Sequence, residues 1–171
     1  VADVYGKIEE GPIVGDNLST AVYARSGNGL VHDAAVRDLD GIQAIPDFVC
    51  FVRGWHPTYA SPTIMLLGVN CPLRMGHATV MPGDVVLGRQ DGVIFIPPHL
   101  AEQVCTTSEI IRLRDTFGKT RLREGKYTPG QIDARWTDEI EADFSRWMED
   151  HIDELPVPKE TIQEYLQKRT W

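Results

Sequence analysis

The chain has 171 residues, 42% hydrophobic and 25% charged, the proportions of a globular chain able to bury a sizeable core. A formal net charge of −8 repels phosphate backbones, which excludes broad nucleic-acid binding even though Arg121–Arg123 is a local basic spot. No apolar run approaches the roughly 18 residues of a membrane span, and Cys50, Cys71 and Cys105 form no CxxC pair, so a zinc knuckle or disulfide framework is not expected and a reducing, cytoplasmic compartment is.

The chain begins at Val1, without Met or a signal peptide and directly in a strand-like run, so an N-terminal portion is expected to be missing. Val1–Tyr5 reads as a short strand and Gly11–Asn17 as a turn-rich loop. Helix formers over Leu18–Arg25, with Asp16 or Asn17 as cap, predict a helix that the glycines of Ser26–Gly29 stop. Leu30–Val36 reads as a buried strand, followed by Arg37 and Asp38 and a short helix over Asp38–Ile45, halted before Pro46. Phe48–Val52 and Ile64–Val69 are read as further strands, with Trp55–Pro62 as the loop between them.

Ala78–Val80 leads into the turn Met81-Pro82-Gly83-Asp84, and Val85–Leu87 pairs with Val93–Ile96 through Gly88–Gly92. A helix is expected over roughly His99–Phe117. Beyond Tyr127-Thr128-Pro129-Gly130, the apolar Ile140, Phe144, Trp147 and Met148 recur at helical spacing within Asp138–Ile152, and Glu160–Lys168 forms a last helix. Asp138, Glu139, Glu141, Asp143, Glu149, Asp150, Asp153 and Glu154 read as a solvated helix face. Trp136, Trp147 and Trp171 read as packing or interface residues. The expected organisation is an α/β core over residues 1–126 and a helical extension over 127–171, whose amphipathic helices suggest packing on a neighbouring subunit.

Two strand–loop–helix junctions lie close in sequence: Gly15-Asp16-Asn17-Leu18, and His32-Asp33-Ala34-Ala35-Val36-Arg37-Asp38. The first offers backbone N–H groups at a helix start, a seat for a carboxylate. The second sets a guanidinium, able to grip a carboxylate or oxyanion in two hydrogen bonds, beside a carboxylate able to hold Mg²⁺ or Mn²⁺ with waters. Together they suit a small 2-oxo acid, although an Arg–Asp pair at a strand end also serves as a plain structural ion pair. His56 and His77 fall in loops from which they could reach a site.

Gly6-Lys7-Ile8, Gly15-Asp16-Asn17-Leu18, Asp33-Ala34-Ala35-Val36-Arg37-Asp38, Pro82-Gly83-Asp84-Val85-Val86 and Asp91-Gly92-Val93-Ile94-Phe95-Ile96-Pro97 occur in that order. The series resembles the class II pyruvate aldolases that cleave 4-hydroxy-4-methyl-2-oxoglutarate, a family that also holds the regulator of ribonuclease activity A and is often labelled dimethylmenaquinone methyltransferase. The resemblance covers roughly Val1–Glu102. It implies a swivelling β/β/α fold of the RraA-like type and a homotrimer or homohexamer with sites near subunit interfaces. It also implies a metal-dependent retro-aldol cleavage that releases pyruvate, with oxaloacetate decarboxylation as a side activity. By the same resemblance Arg37 binds substrate and the enolate oxygen, Asp38 positions Mg²⁺ (or Mn²⁺) through waters, and the backbone of Gly15, Asp16, Asn17 and Leu18 binds the pyruvyl carboxylate. No lysine Schiff base is needed, and nothing marks Lys7 as one.

Three positions depart from the family pattern: Ala34 stands where Gly is usual, His32 where an apolar residue is usual, and Arg89 where an acidic residue is common. His32 reads as a satisfied strand histidine, with a proton shuttle as the alternative. Arg89 reads as an exposed turn residue. The competing function is a non-catalytic, protein-binding regulator. Methyl transfer to a quinone has little support, because no Gly-rich cofactor loop or membrane-facing segment is present.

Overall fold

The computed structural model describes residues 1–60 and 62–168. Two compact units divide at Leu100 and Ala101, whereas the sequence reading drew its line after Lys126. The first unit is α/β. Its central sheet is three parallel strands in the order β1 (Ala2–Lys7), β2 (Leu30–Val36), β3 (Cys50–Trp55). Helices α1 (Asp16–Ser26) and α2 (Leu39–Gln43) make the two crossovers, as parallel neighbours require.

Strand β2 is central, and every residue from Val31 to Val36 is buried. Val31, Ala34, Ala35 and Val36 are the small and β-branched side chains of a strand covered on both faces, and His32 and Asp33 are buried polar exceptions among them. Val36 packs with Val14 and Ile42, flanked by Ile13, Leu30, Phe48, Cys50 and Val52. Helix α1 stops at Gly27, which takes a left-handed φ of 65° and returns its N–H to the Tyr23 carbonyl.

Two antiparallel hairpins follow, β4 (Leu73–Met75) with β5 (Ala78–Val80), and β6 (Val85–Arg89) with β7 (Gly92–Ile96). The second has a tighter connection than expected: Arg89 pairs with Gly92, so only Gln90 and Asp91 turn the chain. Ile64–Val69 is not a strand. It is an apolar run without a neighbouring ladder, and strand propensity yields to context of this kind.

From Ala101 onward the chain is helical: α3 (Ala101–Arg123), α4 (Pro129–Asp133), α5 (Asp138–Asp150) and α6 (Lys159–Lys168). A 3-10 turn at Pro98–Leu100 precedes α3, which runs further than expected, to Arg123. Thr128 caps α4 in a reciprocal pair with Gln131, and Thr137 caps α5. The α3, α5 and α6 faces enclose Leu113, Phe117, Phe144, Trp147, Met148 and Ile162, with Trp136 beside them. Trp136 and Trp147 therefore pack, as expected, while Trp171 lies outside the described residues.

Asp143 corrects the reading of α5 as a wholly solvated acidic face, because it is buried. Its carboxylate accepts two bonds from Arg121, at 2.9 and 3.0 Å, and one from Tyr127 Oη at 3.1 Å, and pairs with Lys126 Nζ at 2.9 Å. Burial alone would raise its pKa. The bonds from Arg121, Lys126 and Tyr127 more than reverse that and hold it below the ordinary carboxylate value.

Candidate functional site

The carboxyl-terminal edge of the β1–β2–β3 sheet gathers the sequence-predicted residues. The Arg37 N–H donates to the Val14 carbonyl at 3.1 Å, tying the end of β2 to the loop that enters α1. Gly15 is then so close that a Cβ there would collide with Asp38 Oδ2 and come within 3.2 Å of Arg37 Nε. A Cβ on Gly41 would collide with the Asp16 side chain. The two junctions therefore meet, Gly15–Asp16 lying against Arg37–Asp38 and the first turn of α2. The glycines at 15 and 41 permit that approach.

Asp38 caps α2 in the left-handed region, at φ 56° and ψ 46°, a conformation that Asp tolerates better than most residues. This sharp exit from β2 brings its carboxylate back to Arg37, whose Nε donates to Oδ2 at 3.2 Å. Both side chains are partly exposed, at 35% for Arg37 and 45% for Asp38, so the pair opens to solvent and is available to a ligand. Such a pair contributes little to stability.

At the start of α1 the Asn17 N–H already donates to the Asp16 carboxylate at 2.7 Å, and the Ser19 N–H donates to the Gly15 carbonyl at 3.0 Å. The expected anion seat is thus partly filled by Asp16 itself. Leu18 sits half-exposed on the same turn.

A divalent cation would find one open carboxylate here, because Asp38 Oδ1 takes no hydrogen bond from the described residues. No group of three or more His, Cys, Asp or Glu side chains among the described residues forms a metal cage. The donor set fits a water-rich Mg²⁺ or Mn²⁺ held by one or two carboxylates and does not fit a closed site.

The departures from the family pattern also resolve. Ala34 is fully buried with an ordinary negative φ, so glycine is not required there. Arg89 is exposed at the end of β6, beside an open cavity of about 560 Å³ lined also by Val49, Phe51, Gln90 and Asp91 at the other end of β3. His32 is buried and its ring nitrogens lack a hydrogen-bond partner among the described residues. Burial lowers its pKa below 6.5, against a smaller opposing pull from the nearby Gly11 and Ala35 backbones. It is a strand histidine, though not a satisfied one. Beside it the buried Asp33 pairs with the half-exposed Arg53 of β3.

His56 also belongs to this edge, which its position in a presumed loop did not reveal. Val36 lies opposite Trp55 in the β2–β3 ladder, and the His56 N–H donates to the Val36 carbonyl at 2.9 Å. His56 is therefore the residue of the third strand's exit that flanks Arg37.

A family model described as RraA-like, aldolase/RraA, matches residues 1–95. Protein DlpA of Legionella pneumophila is 27% identical over 111 residues, 65% of this chain and 18% of that protein. A Halalkalibacterium halodurans protein named "Putative 4-hydroxy-4-methyl-2-oxoglutarate aldolase" is 36% identical over 76 residues, 44% of this chain and 35% of that one. The chain thus spans about a fifth and a third of the lengths of these curated relatives. The fold is shared with an uncharacterized protein from Pseudomonas syringae pv. tomato str. DC3000, at TM-score 0.64 and 23% identity, covering 77% of this chain and 64% of that one.

Proposed function

This chain belongs to the RraA-like family, and from that premise we propose that it is a divalent-metal-dependent carbon–carbon lyase. Its substrates are 4-hydroxy-2-oxo acids of the 4-hydroxy-4-methyl-2-oxoglutarate type, cleaved to pyruvate by a retro-aldol reaction, with oxaloacetate decarboxylation as a side activity. The observation that carries the reading is the meeting of the Gly15 loop with Arg37 and Asp38 at one open sheet edge.

Cleavage of the bond between C3 and C4 leaves negative charge on the pyruvyl oxygen. The Arg37 guanidinium bonds to Asp38 through Nε alone, which leaves its other N–H groups to hold that oxygen or the adjoining carboxylate. The free amides of the α1 first turn favour the same anionic end. A bound Mg²⁺ or Mn²⁺ would supply a Lewis acid for the keto oxygen, and Asp38 is the residue that would hold it. The 4-hydroxyl proton leaves to water at this solvent-open edge, and C3 of the enolate takes a proton back from water to give pyruvate.

We further propose a cytoplasmic homo-oligomer, a trimer or hexamer. Among the described residues no helix is long and apolar enough to cross a membrane, and a run of exposed apolar side chains on the first unit supports self-association.

The test is pyruvate release from 4-hydroxy-4-methyl-2-oxoglutarate and from oxaloacetate, with Mg²⁺ and with EDTA, beside Arg37→Ala. Metal-dependent release is expected, reduced about 10²–10³-fold by the substitution, the typical loss for one oxyanion-stabilising donor. Undiminished turnover in Arg37→Ala overturns the role of Arg37. No release from the folded chain favours a protein-binding regulator, whose partner binding should survive EDTA.

A further inference from the structure

The hydrogen bonds around His56 determine which of its ring nitrogens carries the proton. Thr58 Oγ1 accepts the Glu10 N–H at 3.0 Å, which leaves its own hydroxyl hydrogen to donate. Thr58 Oγ1 lies 2.9 Å from His56 Nδ1, and the Thr58 N–H points at the same nitrogen at 3.4 Å. Both contacts are hydrogen bonds at once only if Nδ1 is unprotonated and accepts. The proton of the neutral ring then sits on Nε2. No described residue accepts from Nε2.

The segment carrying this ring is firmly placed. His56 N–H is bonded to Val36 O, and the segment is fastened to the loop before α1 by Ala60 N–H to the Pro12 carbonyl at 3.2 Å and Thr63 Oγ1 to the Glu10 carbonyl at 3.3 Å. That loop continues through Val14, which holds the Arg37 N–H. Neighbouring strands lie about 4.8 Å apart, so the half-buried His56 stands one strand over from Arg37, on the β3 side.

We infer that His56 is a substrate-binding residue of this site, its Nε2–H locked as a donor by Thr58 and directed to the oxygen-rich fragment that departs when pyruvate is released. The inference rests on the lyase reading above. Arg37 and the α1 turn hold the pyruvyl end, and His56 reads the other end, a carboxylate or carbonyl. A donor-only nitrogen cannot remove the 4-hydroxyl proton, so His56 orients the substrate and sets specificity. Oxaloacetate is one carbon shorter and lacks the carboxylate at C5 that His56 reaches, so its decarboxylation depends on His56 little.

The experiment compares the full chain with His56→Gln, His56→Ala and Thr58→Val on both substrates, with Mg²⁺. For 4-hydroxy-4-methyl-2-oxoglutarate, kcat/KM is expected to fall about tenfold or more in both His56 variants, as for a lost bond to a charged group, and roughly threefold in Thr58→Val. Oxaloacetate decarboxylation is expected to stay within about twofold. Long-range ¹H–¹⁵N correlation is expected to show His56 as the Nε2–H tautomer in the wild type, with the preference lost in Thr58→Val. Equal losses on both substrates, no loss on either, or an Nδ1–H tautomer overturn the inference and leave the lyase reading intact. A wild-type chain silent on both substrates overturns the lyase reading, and His56 with it.

Discussion

The helical unit from Ala101 buries its aromatic side chains Phe117, Trp136, Phe144 and Trp147 and leaves Val104 and Ile111 of α3 in water, while the α/β unit before it leaves many more of its own there. Phe117 lies against Trp136, Phe144 and Trp147 with ring centroids 5.4, 5.3 and 5.8 Å away, a tilted aromatic cluster that is fully enclosed. Arg114 roofs it, stacked 3.6 Å from the Trp136 ring and bonded to Glu141 at 3.1 Å. In the first unit the enclosed core around Val14, Val36 and Ile42 is small, while Met65, Leu66, Leu67 and Val69 are 77–80% exposed and one edge of β6 is apolar in solvent. The difference teaches that stability and function are placed apart. The helical unit has the larger enclosed core, and the first unit presents open surfaces, the candidate site among them.

The sharpest way to break this contrast is at Phe117. Phe117→Ala should cost about 3–5 kcal/mol, the usual range for truncating an enclosed aromatic, read as a lower urea midpoint. Near-ultraviolet dichroism from Trp136 and Trp147 should fall with it. A loss under about 1 kcal/mol would show that the aromatic cluster is not what closes the unit.

The legible parts of this molecule are those where one local rule decides the outcome. Leu30–Val36 is a strand with the bounds expected, because a central parallel strand needs no alternation of apolar and polar residues. The helical spacing of Ile140, Phe144, Trp147 and Met148 likewise found the buried face of α5. Ile64–Val69 misled because an apolar run says nothing of whether a partner strand exists. Asp143 misled because its two nearest cations come from residues 17 or more positions earlier, out of reach of any helix-face pattern. Within the site, the Arg37–Asp38 and Gly15–Leu18 segments were legible from junction chemistry. His56 was legible only as a loop residue able to reach a site, because the β2–β3 register is what places it beside Arg37. The Asp16 carboxylate on the Asn17 N–H is a side-chain choice that spacing cannot express.

Acid should distinguish the two units. Buried His32 has a lowered pKa, so its share of the first unit's stability is complete above 6.5 and shrinks as pH falls from there toward the depressed folded value. Asp143 is depressed below 3.8, so its share in the helical unit is present above 3.8 and is lost only as pH falls through its folded value. Hydrogen exchange, corrected for intrinsic rates, should therefore show β2 losing protection between about pH 7 and about pH 5 while α5 keeps its own. Asp143→Asn should cost about 2–4 kcal/mol near neutrality by leaving Arg121 and Lys126 short of a counter-charge, and the gap to wild type should narrow by about pH 3. Equal acid sensitivity of β2 and α5 would remove His32 as the cause.

The smallest effect on folding is expected where the apolar surface is greatest. Leu66 and Leu67 are each 78% exposed, so Leu66→Ser with Leu67→Ser gives up almost no burial within the chain. Its unfolding free energy, measured on dilute monomer, should change by no more than about 0.5 kcal/mol, the range for surface positions. If the run covers a neighbouring subunit, the same double variant should lower the assembly mass seen by sedimentation or light scattering, because two fully buried leucines contribute about 1.5–3 kcal/mol each. A loss of several kcal/mol in the monomer would mean that the run packs within its own chain. An unchanged assembly mass with an unchanged monomer would shift the contact to the exposed apolar edge of Val85, Val86 and Leu87 on β6, which the same pair of measurements then tests with Val86→Ser.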